Sequence, residues 1–162
     1  MAKAGDIALF IGKEDILDEG IEFITSSKYT HAGFFISENI IVEAWFPNVR
    51  YRDLTGTTWY DVYKFYPLLT QEQINNGVTY AKTKVELETK YNILALLGIL
   101  IEKIFHTKQN LFYSNRMEIC SELVSEIFSM AMGIDLCLGI DDSITTPADL
   151  SNDARLVKIE SY

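Results

Sequence analysis

Two apolar runs rich in β-branched and aromatic residues, His31-Ala32-Gly33-Phe34-Phe35-Ile36 and Ile40-Ile41-Val42-Glu43-Ala44-Trp45-Phe46, are separated only by Ser37-Glu38-Asn39. So short a polar connection forces the two strands to fold back on each other as an antiparallel hairpin. With residues 37–39 as the loop, Ile36 faces Ile40, Gly33 faces Glu43 and His31 faces Trp45. Side chains alternate along a strand with period two, so His31, Gly33, Glu43 and Trp45 share one face. Glu43 is then a diagonal neighbour of His31, roughly 7 Å away between backbones, and a carboxylate can bridge that distance to an imidazole N–H. Gly33 is expected to leave the space between them open.

The rest of the chain divides by periodicity. Asp6-Ile7-Ala8-Leu9-Phe10-Ile11 is apolar after its first residue, which predicts a strand buried on both faces, and Gly12 ends it. Residues 14–24 place Ile16, Leu17, Ile21 and Ile24 at helical intervals and predict a short helix. A further strand is predicted over 58–66 and is ended by Pro67. From Thr70-Gln71-Glu72-Gln73, a capping-box pattern, a helix is predicted to about residue 88, interrupted by Gly77. A second helix is predicted over 93–105, then a polar loop over 107–116. A helix begins at Cys120 and ends near Gly133, Thr146-Pro147-Ala148-Asp149 marks a turn or helix start, and a last strand is predicted over 155–159. Strands crowd the first 66 residues and helices follow, so the expected class is α+β, in one domain over residues 1–162.

Composition narrows the partners. The 162 residues carry 23 acidic against 14 basic side chains, a net charge of -9. That argues against nucleic acid or an anionic membrane surface, which need concentrated Lys and Arg, and favours a neutral or cationic substrate. The longest apolar run, Ile93-Leu94-Ala95-Leu96-Leu97-Gly98-Ile99-Leu100-Ile101, is short of the ~20 residues of a transmembrane helix. It reads as a core helix, or as an apolar wall beside a lipid-like substrate. The N-terminal segment lacks a signal-peptide core, and a cytoplasmic location is expected.

The candidate chemistry rests on few residues. The chain has two cysteines, Cys120 and Cys137, expected to be free thiols, and two histidines, His31 and His106. Cys120 opens Cys120-Ser121-Glu122-Leu123-Val124-Ser125-Glu126-Ile127-Phe128, where Leu123, Val124, Ile127 and Phe128 recur at helical spacing. The thiol therefore stands on the buried face of its helix at the first turn, where a helix start and a nearby imidazole lower a thiol pKa from about 8.5. The same position suits a small core residue. His31 alone also reads as an ordinary hydrogen-bonded histidine, and Glu43 alone as a surface carboxylate. Glu43 is flanked by Ile41, Val42, Ala44 and Trp45, however, and a buried charge needs a partner. Cys137 reads as structural and His106 as a helix-end residue. Zinc-type spacing is absent, so no metal and no cofactor are expected.

Three motifs carry a resemblance: Gly5-Asp6-Ile7-Ala8-Leu9-Phe10, the histidine strand Thr30-His31-Ala32-Gly33-Phe34, and the helix opened by Cys120-Ser121-Glu122-Leu123-Val124. Together they resemble the circularly permuted branch of the NlpC-type papain-fold cysteine hydrolases, the YiiX/YebB-like group, in which the cysteine helix follows the other two motifs. The resemblance implies a papain-like antiparallel sheet with the nucleophile helix packed on it. It further implies Cys120 as nucleophile, His31 as base, Glu43 as the residue orienting the imidazole, and Tyr91 lining the substrate site. The implied activity is amidase- or peptidase-like hydrolysis through an acyl-enzyme, on small peptide or amide substrates such as cell-wall-type peptides. A lipid-directed acyltransferase or thioesterase-like enzyme acting on a lipid-linked acyl group, and a catalytically inactive binding module of the same fold, are the alternatives.

Overall fold

The computed structural model describes residues 1–12, 27–45, 47–91, 117, 118 and 120–162. The predicted helices over 14–24 and 93–105, with His106 and the loop over 107–116, lie outside the described residues. Six strands form an antiparallel sheet: β1 (Ile7–Ile11), β2 (Tyr29–Phe35), β3 (Ile40–Trp45), β4 (Asn48–Asp53), β5 (Tyr60–Phe65) and, last in the chain, β8 (Leu156–Ser161), in the spatial order β4-β3-β2-β1-β5-β8. Two-residue strands β6 (Lys90–Tyr91) and β7 (Met117–Glu118) extend the β4 edge, and β7 runs parallel to β6. The helices are α1 (Gln71–Glu86), α2 (Cys120–Glu126), which continues as a π turn over Ile127–Ala131, and α3 (Pro147–Asn152).

The apolar strand β1 lies between β2 and β5, and Ile7, Ala8 and Leu9 are fully buried. Apolar residues on both parities are what a strand covered on both faces requires. On one face Ile7, Leu9, Phe34, Val42 and Phe65 join Leu123, Val124, Ile127 and Phe128 in the main core. On the other, Ala8, Phe10, Phe35, Ile41, Tyr60 and Val62 form a smaller cluster. The hairpin register is the expected one, with Phe34 opposite Val42 and Ile36 N–H donating to the Ile40 carbonyl at 2.9 Å. The ladder stops after Phe34 and Phe35, however, and is not continued to Gly33 and His31.

Local chemistry explains the helix ends. The Thr70 hydroxyl accepts from Gln73 N–H while Gln73 reaches back to Thr70 N–H, the expected capping box, and Thr146 with Asp149 builds a second one around Pro147. Thr146→Ala is expected to cost about 1 kcal/mol in a urea melt, and an unchanged midpoint would contradict the cap. Gly77, which interrupts the α1 pattern, marks a close approach. A Cβ there would lie 2.1 Å from Met132 Cε and 3.2 Å from Phe34 Cζ. The helix sits that close to the sheet because only Gly77 and Ala81 are buried along it.

One strand departs from expectation. Residues 48–53 form β4, although Asn48-Val49-Arg50-Tyr51-Arg52-Asp53 carries no apolar run, and only Val49 in it is buried. It pairs with β3 along its whole length, from Ile40 opposite Asp53 to Trp45 opposite Asn48.

Candidate functional site

The start of α2 packs against β2 and β3, and Cys120 comes two residues after β7 ends. The helix start is anchored by Ser121 Oγ, which donates to the Thr145 carbonyl at 2.6 Å. Cys120 through Ser125 are all buried. The Cys120 thiol is hydrogen-bonded to the His31 imidazole and receives backbone hydrogen bonds from Ala32 and Ser121. On the far side of the ring, His31 Nε2 is 2.9 Å from Glu43 Oε2. With Nε2 committed to Glu43, Nδ1 is the nitrogen left to serve the thiol. Cys120, His31 and Glu43 are therefore brought together, in that order.

Glu43 is fully buried and has partners that sequence reading missed. Arg50, its cross-strand neighbour on β4, places Nε and Nη2 each 2.8 Å from Oε1, and Arg52 Nη1 lies 3.3 Å from Oε2. The signal available was the need of a buried carboxylate for cations; reading 48–53 as a strand would have aimed Arg50 at Glu43. Gly33 does not hold open space as expected. Ile41, which alternates onto the same face, fills it, with Cδ1 2.6 Å from where a Cβ would stand. Aromatic rings frame the imidazole. Phe10 and Trp45 each lie 5.4 Å from it between centroids, with Trp45 edge-on. Arg50 stacks on Trp45 and Arg52 on Phe10, each at 4.8 Å.

The electrostatics follow from these contacts. Burial opposes a charge on either Cys120 or His31, but each stabilises the charged form of the other, so the thiol pKa falls and the imidazole pKa rises. Burial likewise opposes ionisation of Glu43, yet His31, Arg50 and Arg52 outweigh it and bring Glu43 from 4.5 to about 2. A carboxyl group whose folded pKa is depressed adds stability that is complete above the unfolded pKa and is lost as pH falls through the folded one. Stability is thus expected to drop by about 2–3 kcal/mol between pH 4.5 and about 2 on account of Glu43. Urea titrations of the unsubstituted protein and Glu43→Gln read this directly, and an equally steep acid loss in the variant would contradict the assignment.

The Tyr91 backbone ends β6, opposite Glu118 in the strand that leads to Cys120. Cys137 is a free buried thiol at φ 53°. Burial and the charges of Asp149 and Asp153 push it up to about 12, so it is not an activated thiol. Among the described residues, no helix is long and apolar enough to cross a membrane.

No protein-family model matches the chain, and no curated protein matches it in sequence. Its fold does match a solved structure, described as that of metalloprotein yiiX from Escherichia coli O157:H7, DUF1105. The TM-score is 0.72 at 18% identity, covering 99% of this chain and 97% of that one. The chain thus shares the α+β fold of that YiiX protein over nearly its full length.

Proposed function

We propose that the protein is a thiol hydrolase of amidase or peptidase type, a single papain-like domain in permuted order, with Cys120 as nucleophile, His31 as base and Glu43 as the orienting carboxylate. One observation carries the reading: an imidazole that is 13% exposed holds a thiol on one side and a carboxylate on the other, and the carboxylate is itself clamped by two guanidiniums. A structural histidine also has two ring nitrogens to satisfy, but a thiol at the first turn of a helix on one of them and a carboxylate on the other is the linear order that a nucleophile, base and orienter need.

In the proposed reaction, His31 holds the Cys120 proton and the thiolate attacks the substrate carbonyl. The imidazolium then protonates the leaving amine or alcohol, and an acyl-enzyme thioester remains. Water, deprotonated by His31, releases the acid and restores the thiol. Backbone N–H groups at the start of α2 are the proposed oxyanion donors.

The yiiX structure is described as that of a metalloprotein, but the side chains gathered here are poor ligands for a metal ion. Both Glu43 oxygens are occupied by cationic side chains, and two guanidiniums beside them would repel a metal ion. Among the described residues no group of three or more His, Cys, Asp or Glu is arranged to hold one. These residues do not fit a metal centre, and the proposed chemistry uses none.

The test is acid-quenched mass mapping after exposure to p-nitrophenyl acetate. The reading requires an acetyl thioester at Cys120 that is absent from Cys120→Ala. Acylation only elsewhere, with Cys120 unmodified, would refute the enzyme and leave a binding module. Turnover of short peptides against detergent-dispersed lipid esters then sorts the two enzymatic readings.

A further inference from the structure

Arg50 and Arg52 do more than satisfy Glu43. They are two of only four arginines in the chain, and both stand beside His31 on a protein whose net charge is -9. When the thiol and imidazole exchange their proton, three cations (His31, Arg50 and Arg52) face two anions, Cys120 and Glu43. Among these five groups the balance is therefore positive, against the average of the chain and against the preference for neutral or cationic substrates that its composition suggests. Nor are the arginine side chains sealed in: Arg50 is 46% exposed and Arg52 29%. Arg50 spends Nε and one terminal nitrogen on Glu43, Arg52 a single terminal nitrogen, and each guanidinium carries five N–H donors in a fixed fork. Each guanidinium carbon lies over an aromatic ring, 4.8 Å from its centroid, that also touches His31, and Trp45 is itself 44% exposed. The guanidiniums are thus pre-oriented, with donors to spare, on the Glu43 side of the imidazole.

We propose that Arg50 and Arg52 form a recognition site for an anionic group, a carboxylate or a phosphate, on the substrate of the Cys120–His31 pair. The inference rests on the thiol chemistry above and deepens it by naming the charge class of the substrate. Planar guanidiniums match the oxygens of either group, and stacking on Trp45 and Phe10 fixes their orientation before the ligand arrives.

The test uses two alkylating reagents that differ in charge, iodoacetate and iodoacetamide, with N-acetylcysteine as reference thiol. The ratio of their rate constants at one pH cancels the thiolate fraction and reads only the field met by the incoming anion. The expected ratio at Cys120 is above the reference and falls on the order of threefold in Arg50→Gln and in Arg52→Gln, the size expected for one unit charge several ångströms away in a wet site. Arg52→Lys, which keeps the charge, retains it. The same ratio in the unsubstituted protein falls with added sodium chloride, a reading that needs no variant to fold. Fast iodoacetamide labelling with a ratio equal to the reference, or unchanged in both glutamine variants, overturns this inference and leaves the thiol chemistry standing. Slow labelling by both reagents overturns the two together. Protection of Cys120 by acetate at lower concentration than by inorganic phosphate assigns a carboxylate, and the reverse order a phosphate. Protection by neither beyond the effect of sodium chloride counts against the site.

Discussion

Replacing His31 with alanine is expected to slow acylation of Cys120 near neutral pH by about a hundred- to ten-thousandfold, while circular dichroism stays that of the parent. Two losses combine. Without the imidazole the thiol loses the charge that lowers its pKa, and burial, the largest influence on it, is then opposed only by the backbone N–H groups of Ala32 and Ser121. The leaving group also loses its proton donor. Glu43→Gln is a milder change, because the amide oxygen can still accept from Nε2 while the negative charge is gone. The expected order of rates is parent, Glu43→Gln, His31→Ala. Equal acylation in His31→Ala and the parent would remove the imidazole from the chemistry.

The largest effect on stability is expected at Phe128. Its ring is fully buried in the π turn that continues α2, edge-on to Phe34 at 6.2 Å and 5.7 Å from Phe65 between centroids. Phe34 belongs to the histidine strand, so this ring seats the cysteine helix on the strand that carries its partner. Phe128→Ala removes the ring and leaves a cavity that the closely packed Gly77 and Phe34 cannot fill, at a cost of about 3–5 kcal/mol. Thermal or urea unfolding measures it. A loss under 1 kcal/mol would mean that the helix is seated by other contacts.

The site was legible in the sequence to the extent that its residues obey short-range rules. A three-residue polar loop dictated the hairpin register, and alternation then put His31 and Glu43 on one face. The helix start at Cys120 followed from 3.6-residue spacing, but that spacing could not tell a core cysteine from one facing an imidazole. The difference lies in how α2 docks on β2, a long-range contact. β4 escaped because it has no apolar run: Val49 and Tyr51 alternate with Asn48, Arg50 and Arg52, and only Val49 is buried. Arg50 and Arg52 are in a strand because they pair with β3 and neutralise Glu43, a tertiary reason that no local propensity contains.

The most direct measurement is the rate of iodoacetamide alkylation at Cys120 and Cys137 in the same native protein as a function of pH, resolved by peptide mapping. The lowered thiol pKa at Cys120 predicts a rate that has reached its plateau well below the free-thiol value of about 8.5, whereas Cys137, pushed up to about 12, stays nearly inert until strongly alkaline pH. His31→Ala should move the Cys120 curve upward toward that of Cys137. If the two cysteines titrate together, or Cys137 labels first, the thiolate–imidazolium pair at the centre of this account does not exist.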